Sequence, residues 1–165
     1  MKALFVGRFQ PFHNGHLHAI KEIAGKAEKV FIIIGSSQHA NTEENPFSAE
    51  EREEMIRRAL GEAGITNYAI YKVPDVNNDA AWAEHLCSFV SDFDVVYSGN
   101  KLVQKLFKAH GKKVIPLKHV NRENLSGTEI RRRIRESLDW QSLLPESVSN
   151  YIIEIGGVKR IKNPG

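Results

Sequence analysis

Arg8, His13 and His16 lie within nine residues of one another, in the stretch Gly7-Arg8-Phe9-Gln10-Pro11-Phe12-His13-Asn14-Gly15-His16. A guanidinium and two imidazoles can each donate hydrogen bonds to phosphate, and Gly15 permits close approach of the backbone between the histidines. The stretch follows the apolar run Ala3-Leu4-Phe5-Val6 and precedes a helix-like segment. That is a strand-to-helix junction, where the partial positive charge of a helix N-terminus favours anions. A neutral imidazole still has one N–H to give, so neither histidine needs to be protonated for this task. Phe9, Pro11 and Phe12 read as the stiff underside of the loop. The alternatives are a surface salt bridge for Arg8, and a helix cap or a core position for the histidines.

A second set of donors comes late in the chain. Ser126-Gly127-Thr128-Glu129 has the spacing of a capping box, as does Ser48-Ala49-Glu50-Glu51, and each predicts a helix start. At the later one the free amides, the Ser126 and Thr128 hydroxyls and Arg131 on the first turn offer a second grip on phosphate. Taken alone, this is an ordinary capped helix with an exposed Arg. Arg132, Arg133 and Arg135 read as a solvated face or a subunit contact.

Apolar runs alternate with amphipathic segments from one end of the chain to the other. Strand-like runs at 3–6, 30–35, 68–73, 95–98 and 114–117 are separated by helical patterns at 16–27, 48–63, 80–90 and 101–110. The fold expected is α/β: a Rossmann-like, doubly wound parallel sheet of about five strands. Runs without polar alternation, such as Val30-Phe31-Ile32-Ile33-Ile34, suit strands covered on both faces. Residues from about 140 to 161 predict a short C-terminal helical appendage, ending in a polar tail from Lys159. With no linker in sight, 1–165 is expected to be a single domain.

Open sheets of this kind bind ligands at the carboxyl ends of their strands. Gly35-Ser36-Ser37 and Ser98-Gly99-Asn100 occupy such ends, where they could contact a ribose or a base, although each also reads as a turn whose Ser or Asn caps the next helix. Trp82 follows the polar loop Val73-Pro74-Asp75-Val76-Asn77-Asn78-Asp79. It could be a core residue or the wall of a pocket.

Composition narrows the classes. The net charge is +3 and the pI about 9.0, which suits polyanionic small molecules or nucleic acid. The bases are dispersed and no aromatic-rich RNA-binding motif is present, so nucleic acid is not the expected partner. The chain opens straight into a strand pattern and its longest apolar run is far too short to span a bilayer, so a soluble, cytoplasmic protein is expected. The one cysteine, Cys87, excludes an internal disulfide and reads as a small buried hydrophobe. No carboxylate cluster suggests a metal site made by the protein alone. GxGxxG and the P-loop lysine motif are both missing.

The loop GRFQPFHNGH, with His13-Asn14-Gly15-His16 as its HxGH core, resembles the nucleotidyltransferase superfamily, and in its extended form the archaeal-type nicotinamide mononucleotide adenylyltransferases. SGTEIR at 126–131 resembles the superfamily's later STxxR-type motif. The resemblance runs from about Met1 to Ile161, with these two motifs as its specific parts. It implies adenylyl transfer from ATP to nicotinamide mononucleotide, giving NAD and pyrophosphate, with Mg²⁺ brought by ATP. His13, His16, Arg8 and Arg131 would be catalytic, His16 contacting the α-phosphate. Gly7, Arg8, Phe9, His13, Gly15, His16, Ser98, Asn100, Ser126, Thr128 and Arg131 would bind ATP. Gly35, Ser36, Asn77, Asn78, Asp79 and Trp82 would bind the acceptor, with Trp82 stacked on the nicotinamide ring. A homo-oligomer, such as a hexamer, is also implied.

Two departures stand out. The loop before Asn45-Pro46-Phe47 reads Asn41-Thr42-Glu43-Glu44, where family members often carry a basic residue for the acceptor phosphate; His39 or Arg52 would have to substitute. Asp79 stands where an Asn would be unsurprising. Other readings are transfer of an adenylyl or cytidylyl group to flavin mononucleotide, phosphopantetheine or nicotinic acid mononucleotide, or a nucleotide sensor without turnover.

Overall fold

The computed structural model describes residues 1–76, 78–117 and 125–164, apart from the side chains of Asp79 and Ala80. Among the described residues, β1 (Lys2–Gly7), β2 (Lys29–Ile34), β3 (Tyr68–Lys72), β4 (Val95–Ser98) and β5 (Lys113–Pro116) form one parallel sheet in the order β3-β2-β1-β4-β5. The helices are α1 (Asn14–Ala24), α2 (Ala49–Glu62), α3 (Asp79–Phe89), α4 (Lys101–Ala109), α5 (Gly127–Arg135), α6 (Glu146–Glu154) and α7 (Gly157–Lys162). The fold is α/β and Rossmann-like, as expected. No helix among the described residues is long and apolar enough to cross a membrane.

Contacts divide the chain into two compact units. The first comprises Met1–Arg8, Ala19–Ser37 and the described part of 67–119, and so holds the whole sheet. Leu4 pairs with Phe31 on one side and Val96 on the other. These residues join Ile33, Val73, Leu86, Phe93 and Phe107 in a buried cluster. The winding reverses between β1 and β4, so the carboxyl ends of the central strands, at Gly7 and Ser98, border the gap where open sheets receive ligands.

The second unit comprises Phe9–His18, Gln38–Thr66 and the described residues from 125 onward. It holds the histidine loop, the first turn of α1, and helices α2, α5, α6 and α7. Its buried side chains include Phe9, Phe12, Phe47, Met55, Ile56, Ile130, Ile134, Val148 and Ile152. The capping box at α2 is complete: Ser48 Oγ accepts the Glu51 amide and Glu51 accepts the Ser48 amide. At α5 only half of it forms. Ser126 Oγ accepts the Glu129 amide, but the Glu129 carboxylate turns to Arg132 and Arg133, whose hydrogen bonds hold it at about 2.

One boundary differs from the sequence reading. The expected polar tail from Lys159 is instead the body of α7, because Gly156 takes a left-handed turn (φ 72°) that redirects the chain and Ile161 is buried. Gly157 then fits where a Cβ would come within 3.0 Å of Ile152 O and Phe47 Cε1.

Candidate active site

In the first unit, the carboxyl ends of β1 and β2 open into a cavity of about 420 Å³. Its lining includes Gly7, Arg8, Gly35, Ser36, Asp75 and Trp82, with Asn100 and the apolar face of α4, Leu102, Val103 and Leu106, completing the wall. Ser36 sits at φ 49°, a conformation costly for a residue with a Cβ, and its hydroxyl donates to Asp75 Oδ2 at 2.7 Å. That bond fixes a carboxylate in the wall of the same cavity as an indole. Trp82 is held edge-on by Phe107, with ring centroids 5.7 Å apart. Asn100 lines the cavity and caps α4, Oδ1 accepting the amides of Leu102 and Val103.

In the second unit, the two histidines form a stacked pair, centroids 3.7 Å apart and planes at 21°. Phe9 packs edge-on against His16 at 4.8 Å and Phe12 lies 5.4 Å from it, so the aromatic underside grips this ring. Phe9 itself is at φ 57°, a strained backbone held in place by this packing. The ring nitrogens facing the backbone are acceptors. His13 Nδ1 accepts the amides of Gly15 at 3.1 Å and His16 at 3.4 Å, while His16 Nδ1 accepts the amide of His13 at 3.1 Å. A nitrogen that accepts an N–H cannot carry a proton, so both rings are the Nε2–H tautomer.

Electrostatics agree with that assignment. Burial holds His13 down at about 4, and burial together with the charge His13 would carry holds His16 well below the usual imidazole range. Both rings are therefore neutral near pH 7, each with one N–H donor. His13 does cap α1, so part of the anion-attracting end of that helix is used by an imidazole. Gly15 makes room for this: a Cβ there would lie 2.9 Å from His13 Cε1.

The same unit brings the second motif to the first. Arg131 Nη1 donates to the Gln10 carbonyl at 2.7 Å and Nη2 reaches Thr128 Oγ1 at 3.4 Å. A Cβ on Gly127 would stand 2.9 Å from both Gln10 O and Arg131 Nη1, so only glycine allows this approach. Arg132 and Arg133 are occupied by Glu129, and Arg132 also by Glu136, which makes them a salt-bridged face.

Of the residues expected at a site, Gly7, Arg8, Gly35, Ser36, Trp82 and Asn100 surround one cavity, and Phe9, His13, Gly15, His16, Ser126, Thr128 and Arg131 share the second unit. Ser98 is buried and is not among the cavity-lining residues, its Oγ accepting the Asn100 amide. Asn78 is exposed and is not among the lining residues. Asn77 and the side chain of Asp79 lie outside the described residues. Arg52 is fully buried and donates to the carbonyls of Ser48 and His39. Cys87 is half-buried against the first core, and burial raises its thiol pKa.

Sequence reasoning missed Asp75, Gln10 and the α4 wall. Only the last left a signal, the helical spacing of Leu102, Val103 and Leu106 beside a strand end. Among the described residues no group of three or more His, Cys, Asp or Glu side chains could hold a metal.

The chain matches the Cytidylyltransferase-like family over residues 4–133. It is 48% identical over 164 residues to a nicotinamide-nucleotide adenylyltransferase of Thermococcus sibiricus, covering 98% of this chain and 88% of that one. It is 46% identical over 169 residues to a protein of the same name from Archaeoglobus fulgidus, covering 99% and 97%. A crystal structure of a bifunctional NMN adenylyltransferase/ADP ribose pyrophosphatase from Francisella tularensis aligns with a TM-score of 0.83 at 23% identity, a likeness of fold. It covers 99% of this chain, which spans about half, 52%, of that longer protein. With neutral paired imidazoles, a glycine-admitted arginine and this extent of identity, the chain belongs to the nicotinamide-nucleotide adenylyltransferase family of cytidylyltransferase-like nucleotidyltransferases.

Proposed function

We propose that the protein transfers the adenylyl group of ATP to nicotinamide mononucleotide, giving NAD and pyrophosphate. The observation that carries the chemistry is the histidine pair, locked as neutral Nε2–H donors on the loop whose carbonyl receives Arg131. In the reaction a phosphate oxygen of the mononucleotide forms a bond to the α-phosphorus while the bond from that phosphorus to the bridging oxygen breaks, and pyrophosphate takes the electron pair. The nucleophile is already an anion, so no side chain has to remove a proton. What the protein must supply is positioning and stabilisation of spreading negative charge.

Two fixed N–H donors suit the α-phosphate, with His16 in the closer role. Arg131, the Thr128 hydroxyl and the amides at the start of α5 suit the β- and γ-phosphates. ATP enters as its Mg²⁺ complex, the ion held by phosphates and water. The cavity of the first unit suits the acceptor: an indole face and the Asp75 carboxylate favour a cationic pyridinium, while Arg8 at the rim suits its phosphate. We infer a cytoplasmic homo-oligomer, which sizing of the purified protein at several concentrations tests.

The deciding experiment is pyrophosphate release from Mg²⁺-ATP, with nicotinamide mononucleotide, nicotinic acid mononucleotide, flavin mononucleotide and phosphopantetheine in parallel and NAD detected directly. Strongest turnover with nicotinamide mononucleotide is expected. Turnover only with flavin mononucleotide or phosphopantetheine would refute the acceptor assignment, and silence with all four would refute catalysis.

A further inference from the structure

Gln10 is nearly inaccessible, 4% exposed, and its side-chain amide and backbone carbonyl are both hydrogen-bonded. Its side-chain amide clamps one backbone unit from both sides: Nε2 donates to Phe47 O at 2.9 Å and the Phe47 amide donates to Oε1 at 3.0 Å. Its own carbonyl accepts Arg131 Nη1 at 2.7 Å. The far end of the clamp is firmly anchored. Phe47 is fully buried and precedes the Ser48 cap of α2, and Arg160 donates to the neighbouring Pro46 carbonyl at 3.0 Å and to Glu51 at 2.7 Å.

We propose that Gln10 is a positioning residue for the adenylyl transfer: its two-point clamp on Phe47 sets the place of its carbonyl, which in turn aims the Arg131 guanidinium at the ATP phosphates. The inference rests on the reading of Arg131 as a phosphate ligand. A carbonyl on a strained loop beginning at Phe9 would otherwise be free to tilt, and a guanidinium following it would lose its aim. The third bond is made by the backbone carbonyl, so the glutamine side chain bears on Arg131 by fixing the place of that carbonyl, and Gly127 admits the guanidinium to it. Reactions governed by positioning lose rate steeply when a ligand to the transferring group shifts by an ångström.

The test is a cycle of Gln10→Met, Arg131→Ala and the double variant, reading kcat, KM for ATP, KM for the mononucleotide and the melting curve. Gln10→Met keeps the volume and removes the clamp. It is expected to lower kcat/KM for ATP by about tenfold to a hundredfold, with KM for the mononucleotide unchanged. In the Arg131→Ala background the same substitution is expected to cost less than about threefold, because there is no guanidinium left to aim. Wild-type turnover in Gln10→Met, or an equal loss in both backgrounds, would overturn the proposal. If Arg131→Ala itself leaves ATP use intact, it is the reading of Arg131 that fails. Should Gln10→Met fail to fold, Gln10→Glu keeps the acceptor for the Phe47 amide but opposes a carboxylate to the Phe47 carbonyl, and additive losses in its cycle would equally overturn the role.

Discussion

Lowering the pH tests whether the histidines work as neutral donors. His13 has its Nδ1 filled by two backbone amides and its ring stacked on His16, and burial holds it at about 4 against 6.5 for an ordinary imidazole. At pH 5.5 an ordinary imidazole would be about nine-tenths charged, whereas His13 would be charged in about one molecule in thirty. Between 6.5 and about 4 the unfolded chain binds more protons than the folded one, so stability falls as the pH drops through that window and is fully present above it. At ~1.4 kcal/mol per pH unit the loss from His13 reaches about 3 kcal/mol, and His16, shifted the same way, adds to it. Long-range proton–nitrogen spectra of protein labelled in histidine, with His13→Gln and His16→Gln for assignment, read tautomer and titration together. Two rings protonated at Nε2 and unchanged from pH 7.5 to 5.5 are expected, alongside a melting temperature that declines below pH 6.5. A proton on Nδ1, or a midpoint near 6.5 for either ring, would refute the argument.

Gly127→Ala places a Cβ 2.9 Å from a backbone carbonyl that cannot swing aside, so it should displace α5 from Gln10 and raise KM for ATP about tenfold, measured by steady-state kinetics. Trp82→Ala should raise KM for the mononucleotide about tenfold with KM for ATP little changed, since it removes the indole wall of the cavity. Asp75→Asn, assayed with amide and acid mononucleotides side by side, should shift relative kcat/KM toward the acid by about fivefold, because a carboxylate no longer faces that substrate's own. Arg52→Met removes the side-chain donor of the His39 carbonyl and leaves the Ser48 carbonyl with only the backbone amide of residue 52, and should cost about 2 kcal/mol, seen as a fall in Tm of roughly 6 °C.

Most of the fold was legible because its strands are continuous apolar runs, such as 30–34, separated by helices with marked starts at Ser48 and Ser126. The end of the chain was less so: Lys159, Arg160 and Lys162 look like a solvated tail, and only the turn at Gly156 shows that Ile161 comes back to the core. At the site, residue types were visible and their partners were not. His13 and His16 announce themselves by spacing, yet that they are acceptors toward the backbone depends on which way each ring faces. Asp75 looked like part of a polar loop, because its bond to Ser36 joins residues 39 apart. Arg52 is the converse: a basic residue near the right loop in sequence, but one that is fully buried and bonded to the carbonyls of Ser48 and His39.

The direction of the histidine hydrogen bonds bears on why this loop carries histidines at all. Lysine or arginine would bring more charge, but on a long side chain whose head has to be fixed in direction when the ligand binds. Neutral imidazoles whose inner nitrogens are held, that of His13 by the amides of residues 15 and 16 and that of His16 by the amide of residue 13, have their outer N–H groups fixed in direction. On the proposed reading, such a donor gains most when charge builds on a phosphate oxygen, and needs no reorganisation as it does so. Phe9 and Phe12 serve the same end, since rings packed against His16 prevent the rotation that would exchange its nitrogens.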